Sequence, residues 1–289
     1  MSHAKRLRQL LSQPGGCVAP GMFDALTGLL IQQQGFDCAY LGGASISYSR
    51  IARPDIGLTS FGEVAQVVAQ IRERLDIPFV VDADTGFGNA LNVQRTVTVL
   101  ERMGASGIQL EDQTNPKRCG HLAGKMLIPT GEMAGKIAAA LDARADDDTV
   151  IVARTDAIAV EGFDAAMARA NAYLEAGADV LFIEAPEDEQ QQARLAQEFG
   201  TRIPLIANMV EGGRTPLKPA DELFALGYKL VIYPGAMIRV LVSAAKQYLA
   251  VLHEHGSTDA VRGRMLNFGE LNDVLGTDSL LEHGKRYDV

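Results

Sequence analysis

The stretch Glu111–His121, EDQTNPKRCGH, closes a short apolar run with two acids and then collects Lys117, Arg118, Cys119 and His121. These types suit proton chemistry on a carbanion, since cations stabilise developing charge and a thiol or imidazole can deliver a proton. Other apolar runs also end in chemistry-bearing residues: Asp82 and Asp84 in VVDADTG, Arg154 in VIVAR, Glu184 in LFIEA and Asn208 in LIAN. Carboxylates gathered at one rim repel unless a cation neutralises them, and an all-oxygen donor set suits Mg2+ or Mn2+. Asp82, Asp84 and Glu111 are therefore the expected metal residues. Asp82 and Asp84 are two residues apart, so along a strand they share a face. The planar fork of Arg154 is expected to meet a substrate carboxylate, with internal pairing to Glu184 or Asp156 as the alternative. Asp112 and Asp156 are as easily read as caps of the helices that follow. The cations around Cys119 are expected to lower its pKa towards neutrality.

Elements must bring these residues together. Four segments read as a helix ending at glycine (Gly35, Gly104, Gly177, Gly227) followed by a short apolar strand. Further apolar runs in GGCVAPG, IPFVVDADTG, DTVIVARTDA and RIPLIANMVEGG bring the number of candidate strands to eight. Helical periodicity fills the intervals, as in Val64, Val67, Val68 and Ile71 after a capping box of Ser60 and Glu63. Eight apolar strands alternating with helices call for a parallel sheet covered on both faces, and closure gives a (β/α)8 barrel. An open doubly wound sheet is the runner-up, weakened because no GxGxxG follows the first strand. The chain is expected to form a single barrel domain over 1–289, with a helical extension from about residue 240. A barrel places its chemistry at the C-terminal ends of its strands, where Gly42, Gly43, Ala44, Tyr233 and Pro234 also stand.

A net charge of −9 with scattered basic residues argues against a nucleic-acid binder. The N-terminus lacks the apolar core and cleavage site of a signal peptide, and no run of 18 apolar residues spans a membrane. Cys17, Cys38 and Cys119 are odd in number and lack metal-type spacing, so a reducing cytoplasm is expected. Cys17 and Cys38 read as core residues. His3, His253, His255 and His283 read as surface residues, and His121 does not.

Together DADTGFGNALNV, EDQTNPKRCGH, VARTDA, IEAP and IANMVEGGRTPL resemble the isocitrate lyase and phosphoenolpyruvate mutase superfamily, from VAPGMFDAL to the helical C-terminus. The resemblance implies a Mg2+-dependent enzyme acting on a small α-oxycarboxylate through an enolate-like state. It implies that Asp84 is the direct metal ligand, with Asp82, Glu111 and Asp55 acting around it. It also implies that Arg154 and the backbone of Gly42, Gly43 and Ala44 hold the substrate carboxylate, with Gly120, Asn208 and Pro234 lining the same site. Members of the family often carry Ser-Gly-Gly where Gly42-Gly43-Ala44 stands, which removes one hydroxyl contact. Lys117–His121 matches the signature loop of the carbon–carbon lyases, with Cys119 as general acid and Lys117, Arg118 and His121 as charge partners. Tyr40 and Glu184 are both expected candidates for the base. Pro234 resembles the lyases rather than the oxaloacetate hydrolases, which place serine there. Retro-aldol cleavage of a 2-hydroxy di- or tricarboxylate is the implied reaction. The alternatives are oxaloacetate hydrolysis, a P–C bond enzyme of the same superfamily and, remotely, a non-catalytic barrel. The resemblance further implies a homotetramer, a dimer of dimers exchanging C-terminal helices.

Overall fold

The computed structural model describes residues 1–288. Eight strands follow one another in the chain: β1 Cys17–Met22, β2 Ala39–Leu41, β3 Phe79–Asp82, β4 Gly107–Glu111, β5 Val150–Thr155, β6 Val180–Ile183, β7 Ile206–Asn208 and β8 Leu230–Tyr233. All pair in parallel in the order β6-β5-β4-β3-β2-β1-β8-β7. A parallel bridge between Leu181 and Leu205 joins the two ends of that order, so the eight runs read from the sequence form the expected (β/α)8 barrel. Local chemistry explains the punctuation. Gly35, Gly104, Gly177 and Gly227 all adopt positive φ (82°, 99°, 96° and 120°), which lets the chain leave a helix and enter the next strand. Ser60 and Glu63 form the anticipated capping box at the start of the helix Phe61–Arg72.

Strand alternation divides the core into two apolar sets. Phe79, Val81, Ile108, Leu110, Ile151 and Ala153 point outwards into the layer of helices. Cys17, Cys38, Val80, Val150, Val180 and Leu230 point inwards, and Leu7 and Leu11 of helix α1 (His3–Ser12) pack on them at the N-terminal mouth. Helix α1 is thus the floor of the barrel. Gly107 gives it room, since a Cβ there would lie 3.1 Å from Leu7 Cδ2. Arg8 fastens it, donating to the carbonyl of Asp148 at 2.9 Å and pairing with Asp179 at 2.9 Å. A buried leucine side chain is worth ~2 kcal/mol of transfer free energy, so Leu7 alone is a sizeable contribution.

The chain divides into two compact units, residues 1–238 and 239–289. Within the second lie most of the helix Ala236–His255, a 3-10 turn Asp259–Arg264, and helices Phe268–Leu275 and Thr277–Gly284. Its apolar side chains stand largely exposed, Phe268 at 87% and Leu281 at 63%. Among the described residues, no helix is long and apolar enough to cross a membrane.

Candidate active site

The inward positions change character towards the C-terminal mouth. Above the apolar floor, Tyr40 on β2 donates to Gln109 Oε1 at 2.9 Å, and Gln109 Nε2 donates to Asp82 Oδ1 at 3.0 Å. Register sets the next level, because Asp82 pairs with Gln109 and the backbone N–H of Glu111 donates to Asp84 O at 2.8 Å. β3 ends at Asp82, yet both acids still converge on Gly43, where a Cβ would meet Asp84 Oδ1 at 3.1 Å and Asp82 Oδ2 at 3.4 Å. Asp84 reaches this position with φ 48°, and Ala185, immediately after Glu184, has φ 59°. Left-handed backbone at residues with a Cβ costs of order 1 kcal/mol or more and is tolerated where the surroundings hold it.

Arg154 lies across the centre. It stacks 4.9 Å above the Phe182 ring, its Nε is 3.0 Å from Asp156 Oδ2 and 3.4 Å from Glu111 Oε2, and its Nη2 is 3.4 Å from Glu184 Oε2. Both readings of this arginine therefore have support: it is internally paired, but none of these contacts uses Nη1. Burial disfavours its charge, but Asp156, Glu111 and Glu184 outweigh that and hold it well above its ordinary value. Asn208 donates to Glu184 Oε2 at 3.0 Å. Pro234 borders Gly42, and its carbonyl accepts from Ser45 Oγ at 2.9 Å.

The loop between β4 and the helix Thr130–Ala143 folds over this rim. An antiparallel bridge between Gln113 and Leu127 pins its base. Lys117 reaches inwards, with Nζ 2.7 Å from Asp55 Oδ1 and 2.6 Å from Asp84 Oδ1, and Cys119 N–H donates to Asp55 O at 3.0 Å. Gly120 passes so close that a Cβ would lie 2.5 Å from Arg154 Nη2. His121 Nε2 faces Glu184 Oε1 at 3.6 Å, and its Nδ1 accepts from Arg214 N–H at 3.5 Å. Lys117, Cys119, Gly120 and His121 therefore stand at the same rim as Asp55, Asp82, Asp84, Glu111, Arg154, Glu184 and Asn208.

Four expectations need correction. Arg118 is exposed, and its guanidinium donates to Ala123 O at 2.9 Å, away from the rim. The Cys119 thiol is not acidified, because burial pushes its pKa up, and the backbone N–H of His121 and the charge of Arg154 only partly offset this. Burial likewise pushes His121 down against the pull of Glu184, which disfavours its cationic form. Tyr40 is buried with its hydroxyl bonded to Gln109, and burial with the nearby Asp82 charge raises its pKa far from that of a useful base. One substrate contact also changes, since the N–H of Gly43 already donates to Asp82 Oδ2 at 3.3 Å. Asp112 proves structural. Its carboxylate accepts from Thr155 Oγ1 and Tyr173 OH, both at 2.7 Å.

Two functional neighbours escaped the sequence reading. Gln109 could have been found, since in GIQLE alternation puts it on the same face as Glu111. Lys125 could not, since a lysine among loop glycines reads as solvated.

The acidic rim has the chemistry to take a divalent cation. Glu111 Oε1 is buried without a hydrogen bond, and Asp84 Oδ1 has only the Lys117 ammonium beside it. Burial pushes Asp84 up to about 7 against the pull of Lys117, and pushes Glu111 well above its usual value. Such acids gain from a cation, so the donor set fits a hard metal ion. Among the described residues, however, no three His, Cys, Asp or Glu side chains close on one metal-holding point.

Comparison with known proteins places this geometry. Residues 7–253 match the family described as phosphoenolpyruvate phosphomutase. The chain is 44% identical to 2,3-dimethylmalate lyase of Eubacterium barkeri over 99% of both chains. It is 43% identical to 2-methylisocitrate lyase of Aeropyrum pernix, over 93% of this chain and 86% of that one. A crystal structure of 2,3-dimethylmalate lyase superposes with a TM-score of 0.94 at 32% identity, covering 100% of this chain and 96% of that one. A phosphonopyruvate hydrolase complex with oxalate and Mg2+ gives a TM-score of 0.89 at 31% identity over 99% of both chains. With its barrel, acidic rim and Cys-bearing loop, the chain belongs to the phosphoenolpyruvate mutase and isocitrate lyase superfamily.

Proposed function

We propose that this protein is a Mg2+-dependent carbon–carbon lyase that cleaves a 2-hydroxy di- or tricarboxylate to an α-keto acid and a second carboxylate. The observation that carries the proposal is the folding of Lys117–His121 over a rim whose centre is Arg154. The 2,3-dimethylmalate and 2-methylisocitrate lyase relatives support it. Mg2+, when bound, supplies positive charge that polarises the substrate hydroxyl and nascent carbonyl. Asp84 would hold it directly, with Asp82, Glu111 and Asp55 around it, and Mn2+ suits the same donors.

The chain's own residues account for the remainder. Arg154 and the amide of Ala44, next after Gly43 at the start of the helix Gly43–Ile51, orient the substrate carboxylate. Glu184, whose Oε1 accepts no hydrogen bond, takes the hydroxyl proton. As the carbon–carbon bond breaks, its electron pair stays on the carbon beside the second carboxylate. Lys117, held fully charged by Asp84, Glu111, Asp82 and Asp55 despite its burial, stabilises that anion. Cys119, kept protonated by burial, gives its proton to the same carbon. A raised thiol pKa thus serves an acid that must arrive loaded. The closed loop excludes water that would otherwise compete as a proton source.

The exposed apolar side chains of residues 239–288 support a homotetramer in which they are covered by other subunits. Three free thiols support a cytoplasmic setting.

The test is incubation of the purified protein with Mg2+ and a panel of 2-methylisocitrate, 2,3-dimethylmalate and 2-alkylmalates, with detection of released pyruvate or glyoxylate. Cleavage that stops on chelation is the expected result. Turnover of oxaloacetate or phosphonopyruvate alone would move the reading to a hydrolase. If no compound is cleaved and pyruvate exchanges no methyl deuterium with solvent, the catalytic reading fails.

A further inference from the structure

Lys125 lies outside the signature loop motif, but its side chain is only 2% exposed. Its Nζ donates to two partners, the carbonyl of Gly120 and Asp156 Oδ1, the latter at 2.8 Å. Asp156 Oδ1 also accepts from Arg154 Nη2 at 3.2 Å, while its Oδ2 accepts from Arg154 Nε at 3.0 Å. Asp156 cannot drift, because its own N–H donates to Asp112 Oδ1 at 3.0 Å. One ammonium therefore joins the loop backbone between Cys119 and His121 to the carboxylate that aims Arg154.

Burying a lysine beside an aspartate that already serves an arginine is a poor route to stability, because the desolvation of a second cation offsets most of the attraction. An arrangement of that kind calls for a role beyond stability. If the Gly120 carbonyl lifts, Lys125 loses a neutral acceptor while its charge stays buried, so loop opening and rearrangement around Asp156 accompany each other. The loop carries the proton donor and Arg154 carries the substrate carboxylate. A tie between them makes closure of the loop report that the arginine is in place.

We infer that Lys125 is a positioning residue that latches the Cys119 loop shut through Gly120 and Asp156 and couples that closure to the aim of Arg154. The kinetic part of this inference rests on the lyase reading above, and the structural part does not.

The experiment compares wild-type full-length protein with Lys125→Met, Lys125→Gln and Lys125→Arg by amide hydrogen exchange and kinetics. In Lys125→Met, amides of residues 117–123 should exchange about tenfold faster or more, while those of β4 and β5 keep wild-type protection. Turnover should fall about a hundredfold, more than KM rises, because a loosened loop misplaces the proton donor. Lys125→Arg, which keeps charge and reach, should recover most of the loop protection. Lys125→Gln is read in the same way should Lys125→Met not fold. Unchanged loop exchange would overturn the latch. So would strand protection falling in step with that of the loop, since that pattern marks a merely structural lysine. If the wild type cleaves nothing, the exchange measurements still decide the latch, so failure of the lyase reading is told apart from failure of the inference.

Discussion

The floor and the rim of this barrel are built from the same strands, often from residues two positions apart, yet they obey opposite rules. On β5, Val150 and Val152 face inwards among apolar neighbours, and Arg154 follows them on the same face into a ring of acids. On β3, Val80 gives way to Asp82, and Phe182 of β6 gives way to Glu184 just past its end. At the floor every inward side chain improves burial. At the rim, charges are taken out of water, backbone is held left-handed at Asp84, and carboxylate oxygens stay unpaired. The floor stores stability that the rim spends on reactivity.

That contrast can be broken deliberately. The largest effect is expected from Cys119→Ser, which should cut turnover roughly a thousandfold as a lost general acid. The variant should melt with the wild type and still bind Mg2+ and pyruvate, and unchanged turnover would remove Cys119 from the chemistry. At the opposite end, Leu7→Ala should cost ~2–5 kcal/mol by chemical denaturation, since Leu7 is fully buried in the floor. Its kcat at a temperature where the protein stays folded should be unaltered, and a loss of kcat would show that floor and rim are not separable.

The smallest effect is a pH profile. Folding raises the Asp84 carboxyl to about 7, with burial as the main cause. A carboxyl shifted upwards favours the folded state below its unfolded pKa, near ~4, and that contribution disappears as pH rises through its folded value. Glu111 shifts in the same direction. Metal-free protein should therefore melt lower at pH 8 than at pH 5. Asp84→Asn should flatten the profile, and Mg2+ should do so by favouring the ionised acids. A metal-free profile that rises between those pH values would mean that the rim is not burdened as described.

The strands were legible because alternating burial writes itself into composition, and glycine marks where each helix must stop. The acids and Arg154 were legible for a related reason, since a charged residue at the end of an apolar strand must meet a partner, a ligand or the start of the next helix. What could not be read was direction along the third dimension. Lys117 and Arg118 are adjacent and alike in charge, but one is buried between Asp55 and Asp84 and the other reaches Ala123 O at the surface. The Cys119 expectation failed because nearby cations were visible in the sequence whereas burial was not. Tyr40 failed likewise, as its partner Gln109 lies 69 positions away. Helix α1 reads as a basic, partly apolar terminus, and only the closed strands show it to be a floor.

The floor also bears on how the chain comes into being. Helix α1 is made before the barrel strands, yet the groups that fasten Arg8 lie 140 and 171 positions later, at Asp148 and Asp179. Through half of synthesis Arg8 lacks both anchors, and the leucines lack the inward valines of β5 and β6. Residues 3–12 are therefore fixed in place only when β5 and the approach to β6 exist, so sealing of the barrel is a late event that waits on distant chain.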